Sequence, residues 1–482
     1  MSDNRPQNAR SRSRSRSPRP EASGGTSDFV QPARRVAYEV IAAVRESDAY
    51  ANLLLPTKIK RAALNTADAA LATELTYGTL RMQGYYDRVI ALAAGRPVGD
   101  IDPAILDVLC LGTHQLLSTR VATHAAVNES VSLARQVGSR SAVGFTNAVL
   151  RTISRTSADE WRERVLAEAG NDDERLSAEH SHPVWVVRAF RQALRAEGRE
   201  SELVDLLAAD NLPPLVNMVA LPGLTTPEET AELGAPDAYS PTGFVLGGGD
   251  PFDVVAARKG RIRVQDEGSQ IAALALSRAR PVEAGERWLD LCAGPGGKAA
   301  LLAAEALAGG AQLVANELVP ARAELVRKAL APVPAEVPVW ELDGTRITDD
   351  HADSFDRVLL DAPCTGLGAL RRRPEARWRK QPSDVAALST LQSELIDAAL
   401  GALKPGGILA YVTCSPHLAE TKGIVATALK GWGDRVKELD AASVVQGLSK
   451  ADLDLPGDGG SVQLWPHRHG TDAMFITLLE RV

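Results

Sequence analysis

The stretch WLDLCAGPGGKAALLAAEAL, residues 288–307, decides the fold. Its apolar first residues predict a β-strand, its glycines predict a tight turn, and its Ala- and Leu-rich end predicts a helix. Gly294, Gly296 and Gly297 allow the backbone to turn sharply and to approach a ligand closely. The stretch therefore predicts the first strand–turn–helix unit of a sheet that binds a small molecule at its edge.

The same turn excludes two common nucleotide-binding patterns. A phosphate-binding P-loop needs Gly at position 292 and Ser or Thr at position 299, where Cys292 and Ala299 stand. The GxGxxG pattern of dinucleotide sites is not met either. A Gly-rich turn without phosphate-binding features, preceded by the acidic Asp290, suits a ligand without phosphates. S-adenosylmethionine is such a ligand.

Strand-like and helix-like segments alternate along the rest of this region. Helix-like stretches such as 298–307 and 320–330 separate short apolar runs, which lie at 313–315, 337–342, 357–360 and 408–412. This alternation predicts a mainly parallel, doubly wound sheet, that is, an α/β Rossmann-like domain. The final segment AMFITLLERV predicts an edge strand.

An acidic residue also follows each of the next two predicted strands. Glu317 is placed to accept hydrogen bonds from ribose hydroxyls, and Asp343 is placed to meet an adenine amino group. Any one of these acids alone is typical of surface charge. Together with Asp290, three acids at successive strand ends indicate a nucleoside site.

Two of the four cysteines directly follow predicted strands, in FDRVLLDAPCTGLG (355–368) and GGILAYVTCSP (406–416). A thiolate that adds to carbon 6 of cytosine makes carbon 5 nucleophilic enough to accept a methyl group. Cys364 and Cys414 are therefore candidate nucleophiles, and the residues alone do not say which one attacks. The carboxylate of Asp361 suits a hydrogen bond to N3 or the amino group of the base better than acidification of a thiol.

Composition adds limits on compartment and partners. The four cysteines lack CxxC spacing, so neither disulfides nor a metal site is expected, and a reduced cytoplasmic setting fits. No run of 18 apolar residues occurs, so no membrane span is expected. The net charge of −7 argues weakly against nucleic acid. Two segments are nevertheless basic and could bind phosphates. They are residues 1–29, with six Arg against three acids, and RRRPEARWRK at 371–380.

Four parts are predicted along the chain. Residues 1–29 form a disordered Arg/Ser-rich tail, either an RNA-binding arm or a solubilising segment. Residues 30–160 read as an all-α bundle of about five helices, and 161–275 as a linker with a small α+β domain. Residues 276–482 form the Rossmann-like domain.

The chain resembles the bacterial Fmu/Sun (RsmB-type) 16S rRNA cytosine-C5 methyltransferases over roughly residues 30–482. In the catalytic half the resemblance rests on four motifs: RVQDEGSQ (263–270), DLCAGPGGK (290–298), DAPCTGLGALRRRPEARW (361–378) and TCSP (413–416). In the helical half, ELTYGTLR (74–81) and FTNAVLR (145–151) look like the family's NusB-like RNA-binding domain. Departures occur at Gly294, Thr365 and 472–475, where the family commonly has Ala, Ser and Asp-Gly-Phe-Phe.

The resemblance implies a monomeric S-adenosylmethionine-dependent enzyme acting on 16S rRNA. It implies that Cys414 is the nucleophile on carbon 6 and that Cys364 assists product release, with Asp361 beside them. The cofactor positions that it implies are Cys292, Ala293, Gly294, Pro295, Gly296, Gly297, Lys298, Glu317, Asp343 and Asp361.

The basic run 371–380 predicts an RNA contact because it directly follows the Cys364 loop. Phosphate clamping and stacking of a base on an aromatic ring are the expected roles. The residues assigned to them are Arg371, Arg372, Arg373, Arg377 and Trp378. The alternative is an exposed charged loop with Trp378 packed in the core.

Other functions make different demands on the sequence. A non-catalytic antitermination-like scaffold would carry degraded cofactor and cysteine motifs, whereas these are complete. A DNA cytosine methyltransferase needs a large late insertion for target recognition, and none is visible. A nucleotide-dependent dehydrogenase needs GxGxxG and gives paired cysteines no role. Another RNA, such as tRNA, remains an alternative substrate.

Overall fold

The computed structural model describes residues 1, 30–47, 49–455 and 460–482, so the predicted tail lies outside the described residues after its first position. Within 30–155, apart from position 48, the chain forms seven α-helices rather than about five. Apolar residues recur at helical spacing across 70–93, but this stretch is divided at Met82 into α3 and α4. The seven are α1 (Pro32–Glu46), α2 (Ala51–Arg61), α3 (Thr66–Arg81), α4 (Gln83–Ala94), α5 (Pro103–Ser118), α6 (Thr123–Val137) and α7 (Arg140–Ser154).

A mixed segment follows the bundle, as predicted. Four helices come first: α8 (Ala158–Leu166), α9 (Asp172–His180), α10 (Val184–Arg195) and α11 (Leu203–Ala209). The described residues then form a small antiparallel sheet in the order β2-β3-β1-β4. Its elements and the helices around it are β1 (Asn217–Ala220), α12 (Pro227–Ala231), β2 (Gly234–Pro236), β3 (Gly243–Leu246), α13 (Pro251–Ala257), β4 (Ile262–Val264) and α14 (Glu267–Ser277).

The last part alternates strands and helices. Its first half comprises β5 (Arg287–Asp290), α15 (Gly297–Gly309), β6 (Gln312–Asn316), α16 (Pro320–Leu330), β7 (Val339–Trp340), α17 (Thr348–His351), β8 (Phe355–Asp361) and α18 (Ala376–Arg379). Its second half comprises α19 (Pro382–Ala402), β9 (Leu403–Thr413), α20 (Lys422–Trp432), β10 (Val436–Glu438), α21 (Ala441–Leu448), β11 (Val462–Gln463), α22 (Pro466–His469) and β12 (Phe475–Arg481).

The strands of this part build a mixed sheet whose described order is β10-β12-β9-β8-β5-β6-β7. The five strands from β9 to β7 run parallel. Strand order reverses between β5 and β8, and ligands bind at such a switch point beyond the carboxyl ends of the strands. Along β5, Trp288 packs on the face covered by α14 and α15, and Leu289 packs on the face covered by α19 and α20. The predicted fold class is confirmed.

The C-terminal strand is not at the edge of the sheet. β12 pairs antiparallel with β9 through Phe475–Thr413, and with β10 through Val436–Arg481. The short strand β10 covers the hydrogen-bonding edge that β12 would otherwise expose, so the prediction of an edge strand was wrong. No helix of the described residues is long and apolar enough to cross a membrane.

Arg377 lies fully buried where the bundle, the mixed segment and the sheet domain meet. Its guanidinium donates to the backbone oxygens of Arg81, Ser181 and Asp210 and to Asn211 Oδ1, at 2.7–3.3 Å. Arg81 ends α3, and Ser181 and Asp210 directly follow α9 and α11. The last carbonyls of a helix lack hydrogen-bond donors within that helix. The buried guanidinium of Arg377 supplies such donors to the ends of three helices. Burial lowers the pKa of Arg377 to about 10, which still leaves it charged at neutral pH.

This arrangement corrects the prediction that Arg371, Arg372 and Arg377 clamp RNA phosphates. The side chain of Arg371 is only 7% exposed, and its Nε donates to Asp472 Oδ1 at 3.2 Å. Arg372 donates to the carboxylates of both Asp266 and Asp472, at 2.7 and 2.9 Å. A guanidinium whose N–H groups face internal oxygens is not available to a phosphate, so these arginines hold the protein together.

We expect Arg377→Leu to lower the free energy of unfolding by about 3 kcal/mol, because several buried acceptors lose a charged donor at once. Urea unfolding followed by circular dichroism measures the change. Lys380→Leu, three residues along the same run, is the matched control and should stay within about 0.5 kcal/mol of the parent. Equal unfolding midpoints for the two variants would contradict the role given to Arg377.

Candidate active site

The turn between β5 and α15 is shaped by glycine and lined by a buried acid. Gly296 has a φ of 102°, and a Cβ there would collide with Ala329 of α16. Asp290, at the end of β5, is fully buried, and neither of its carboxylate oxygens meets a donor of the described residues at full hydrogen-bonding geometry. Burial, and next the charge of Asp361, raise the pKa of Asp290 to about 8. A carboxyl with these properties is available to a ligand.

Two side chains at the end of β6 fix the turn in place. Asn316 Nδ2 donates to the carbonyl of Leu291 at 3.1 Å and to that of Leu342 at 3.0 Å, which ties the ends of β5, β6 and β7 together. Glu317 Oε2 accepts the N–H of Gly294 at 3.1 Å. Glu317 therefore lies against the glycine turn, at the place where the sequence predicts a ribose ligand, and that role stays a prediction.

The other predicted cofactor residues surround the same turn. Lys298 Nζ donates to Asp361 Oδ2 at 2.8 Å, which links the start of α15 to the end of β8. Asp343 is exposed, and its Oδ1 accepts the N–H of Thr345 at 3.0 Å. Cys292 is half-buried and packs against the α19 face of the sheet. Apolar side chains lie exposed just past two strand ends, namely Leu318 and Leu342.

The two predicted catalytic cysteines lie together. Cys364 Sγ and Cys414 Sγ are 3.5 Å apart, on the loops that follow the adjacent parallel strands β8 and β9. The other two thiols lie elsewhere, and Cys110 is buried in the bundle, where its Sγ donates to Asp87 Oδ1 at 3.4 Å. The sheet thus brings both candidate nucleophiles to one edge, beside Asp361.

The surroundings of the two sulfurs differ. The pKa of Cys414 is lowered, first by the hydrogen bond from the Cys364 thiol and then, against burial and the charge of Asp361, by the cations of Lys298 and Arg373. The pKa of Cys364 is raised well above its usual range, first by the same hydrogen bond and then by burial and the charge of Glu420. The directions of the two pKa shifts favour Cys414 over Cys364 as the thiolate of the pair.

A buried glutamate that the sequence analysis missed joins the two cysteine loops. Glu420 is fully buried and accepts the Thr365 N–H at 2.7 Å and the Ser415 hydroxyl at 2.6 Å. The Thr365 hydroxyl also donates to it. Since Thr365 follows Cys364 and Ser415 follows Cys414, one carboxylate fixes both loops. Glu420 lies six residues past Cys414, a spacing with no sequence signal of its own.

Arg373 and Trp378 of the basic run remain at the surface. Trp378 is 40% exposed, and the edge of its ring lies against Gly84 of α4, where a Cβ would collide with it. Arg373 is exposed and, among the described residues, forms no ion pair. Contact of these two residues with RNA stays a prediction.

Comparisons with known proteins identify the family of the chain and relatives of its fold. The family model described as 16S rRNA methyltransferase RsmB/F matches residues 279–480, and the NusB family model matches residues 31–155. The Mycobacterium tuberculosis protein Rv1407 is 48% identical over 96% of this chain and 99% of its own length. The ribosomal RNA small subunit methyltransferase B of Pseudomonas syringae pv. tomato is 33% identical over 85% of this chain and 89% of its own. The crystal structure of PH0851 shares the fold, with a TM-score of 0.77 at 23% identity over 94% of this chain and 99% of that one.

Fold and site together define a Rossmann-like methyltransferase domain that follows an N-terminal NusB-like bundle. The chain belongs to the RsmB/F family of 16S rRNA methyltransferases. The resemblance expected from the motifs is confirmed.

We expect Glu420→Gln to slow methyl transfer about tenfold or more, because an amide nitrogen replaces an acceptor oxygen and the cysteine loops lose their common anchor. Alkylation of Cys414 by iodoacetamide at neutral pH should slow as well, because the thiol donor that lowers its pKa moves away. Both rates are measured beside Glu394→Gln, an exposed glutamate on α19. A loss of thermal stability with unchanged alkylation would make Glu420 structural only.

Proposed function

We propose that the protein methylates carbon 5 of a cytosine in 16S rRNA, through a covalent bond between Cys414 Sγ and carbon 6 of the base. The observation that carries this proposal is the pair of sulfurs 3.5 Å apart at the edge of the sheet that holds the glycine turn. The rRNA substrate rests on the family and on the name of the Pseudomonas relative.

The charge of the turn fits S-adenosylmethionine, which carries a net positive charge. After the larger effect of burial, the negative charges of Asp361 and Glu317 repel that of Asp290 and raise its pKa. A cationic ligand relieves that repulsion, whereas a phosphate would add to it. Leu318 and Leu342 offer exposed apolar surface beside Asp343 for an adenine ring. When bound, the cofactor supplies an electrophilic methyl group.

Cys414 supplies the activation of the base. Its thiolate forms a bond to carbon 6, and the electron pair of the C5–C6 double bond moves to carbon 5, which becomes nucleophilic. The contact of 2.8 Å between Lys298 Nζ and Asp361 Oδ2 fixes a cation and a carboxylate beside the sulfurs. The cation suits the negative charge that spreads toward N3, and Asp361 is assigned to accept a hydrogen bond from the amino group of the base, or from N3 once N3 carries a proton.

Cys364 assists the release of the product. After methylation, a base removes the proton of carbon 5, the C5–C6 double bond forms again, and the bond between carbon 6 and Cys414 Sγ breaks. The leaving sulfur departs as a thiolate. The neutral thiol of Cys364 donates a hydrogen bond to it, which stabilises the departing charge.

Methyl transfer from labelled S-adenosylmethionine to unmodified 16S rRNA, followed by mapping of the modified base, tests the proposal. We expect Cys414→Ala to reduce transfer to background. Cys364→Ala should accumulate a protein–RNA adduct that survives denaturing electrophoresis. Cys110→Ala, which removes a thiol of the bundle, is the control and should remain active. Full turnover by Cys414→Ala, or a label that maps to another position of the base, would overturn the mechanism.

Cofactor binding should strengthen as the pH rises through about 8, the value to which the pKa of Asp290 is raised. Below that pH the carboxyl of Asp290 is protonated in the free protein. Because a cationic ligand binds the ionised carboxylate better, its affinity rises with pH, and its binding releases a proton from Asp290. Titration calorimetry across this range measures both effects. Asp290→Asn should flatten the profile, and S-adenosylhomocysteine, which lacks the sulfonium charge, should show a shallower one. A flat profile for the parent protein would remove Asp290 from the site.

A further inference from the structure

One exposed cation of the basic run is oriented by the N-terminal bundle. The guanidinium carbon of Arg373 lies 5.5 Å from the ring centroid of Tyr50, the residue directly before α2. Tyr50 is 44% exposed. The guanidinium of Arg379 lies 5.4 Å from the same ring, and its Nη2 donates to the carbonyls of Val44 and Ala49 at 2.7 Å. The ring and the anchored Arg379 therefore form a fixed support on which Arg373 rests.

The backbone connects this support to the catalytic sulfur. Gly368 N–H donates to the carbonyl of Cys414 at 2.8 Å, and Arg373 N–H donates to the carbonyl of Ala369 at 3.0 Å. Arg373 thus lies five residues after Gly368, whose N–H is hydrogen-bonded to the backbone of Cys414. Its charge is also among the causes that lower the pKa of Cys414, after the larger effect of the Cys364 thiol.

The chemistry of Arg373 suits a phosphate. Arg371, Arg372 and Arg377 direct their N–H groups to internal oxygens, whereas the guanidinium of Arg373 meets no carboxylate of the described residues. A guanidinium presents its donors in a planar fork that matches two oxygens of a phosphate. An aromatic ring beneath it limits its orientations without neutralising its charge.

We propose that Arg373, oriented by Tyr50 of the NusB-like bundle, binds the backbone phosphate of a nucleotide that flanks the target cytosine. Arg373 is then the binding residue and Tyr50 a positioning residue supplied by the RNA-binding domain. The inference rests on the proposed function, because a phosphate flanks a target cytosine only in an RNA whose base reaches Cys414.

The test measures the affinity of the full chain for a 16S rRNA fragment by fluorescence anisotropy over a series of salt concentrations. We expect Arg373→Gln to weaken binding about tenfold and to reduce the slope of log affinity against log salt by about 0.7, the value for one contact to single-stranded phosphate. Arg373→Lys should restore most of the slope. Tyr50→Leu should weaken binding severalfold with the slope unchanged, and Tyr50→Phe should bind like the parent.

Arg164→Gln, an exposed arginine on α8, is the matched control. Unchanged affinity and slope for Arg373→Gln, in a protein whose parent methylates the same fragment, would overturn this inference alone. If the parent protein binds the fragment but never methylates it, the proposed function is overturned. A reduced salt slope for Arg373→Gln would in that case still show that Arg373 contacts a phosphate. Thermal midpoints of all variants show whether each is folded.

Discussion

One buried carboxylate joins the two loops that carry Cys364 and Cys414. A fully buried ionised group costs several kcal/mol unless donors surround it. Glu420 meets this condition by accepting from Thr365 on one cysteine loop and from Ser415 on the other. If the loops moved apart, donors on one side would be lost while the charge stayed buried. The hydrogen bonds of Glu420 thus hold together the two loops on which Cys364 and Cys414 lie 3.5 Å apart.

The edge of the sheet must meet two opposed electrostatic demands. A cationic methyl donor favours acids at the strand ends, whereas a thiolate is destabilised by nearby acids and by burial. Lys298 reconciles the two, because it pairs with Asp361 and also lowers the pKa of Cys414. Burial alone would lower the pKa of this lysine, but its contact with Asp361 more than compensates, and the pKa is raised. One ammonium on the first turn of α15 therefore serves both halves of the site.

The sequence predicted the parts of the structure that follow from local chain chemistry. The glycine turn, the parallel strands and the placement of Cys364 and Cys414 at one edge follow from apolar periodicity, glycine spacing and the rule for parallel sheets. Two features could not be predicted. In the sequence, nothing distinguishes Glu420 from the other acids, because its importance comes from neighbours that only the fold brings to it. The run 371–380 is predicted to lie at the surface because buried arginines are rare. Three helix ends with unpaired carbonyls, at Arg81, Ser181 and Asp210, decide the position of Arg377, and no local pattern reveals that those ends meet.

The basic run also joins the N-terminal bundle to the chain that follows Cys364. Arg81 Nη2 donates to the carbonyl of Arg371, and Arg377 donates to the carbonyl of Arg81. These two hydrogen bonds join the end of α3 to the chain that follows Cys364. The bundle is consequently held in a fixed position relative to the loops that carry Cys364 and Cys414. A misplacement of about 1 Å between reacting groups can slow a reaction about a hundredfold. Under the proposed function, the buried arginines would serve methyl transfer by fixing the position of the bundle relative to Cys414, while their own N–H groups face internal oxygens.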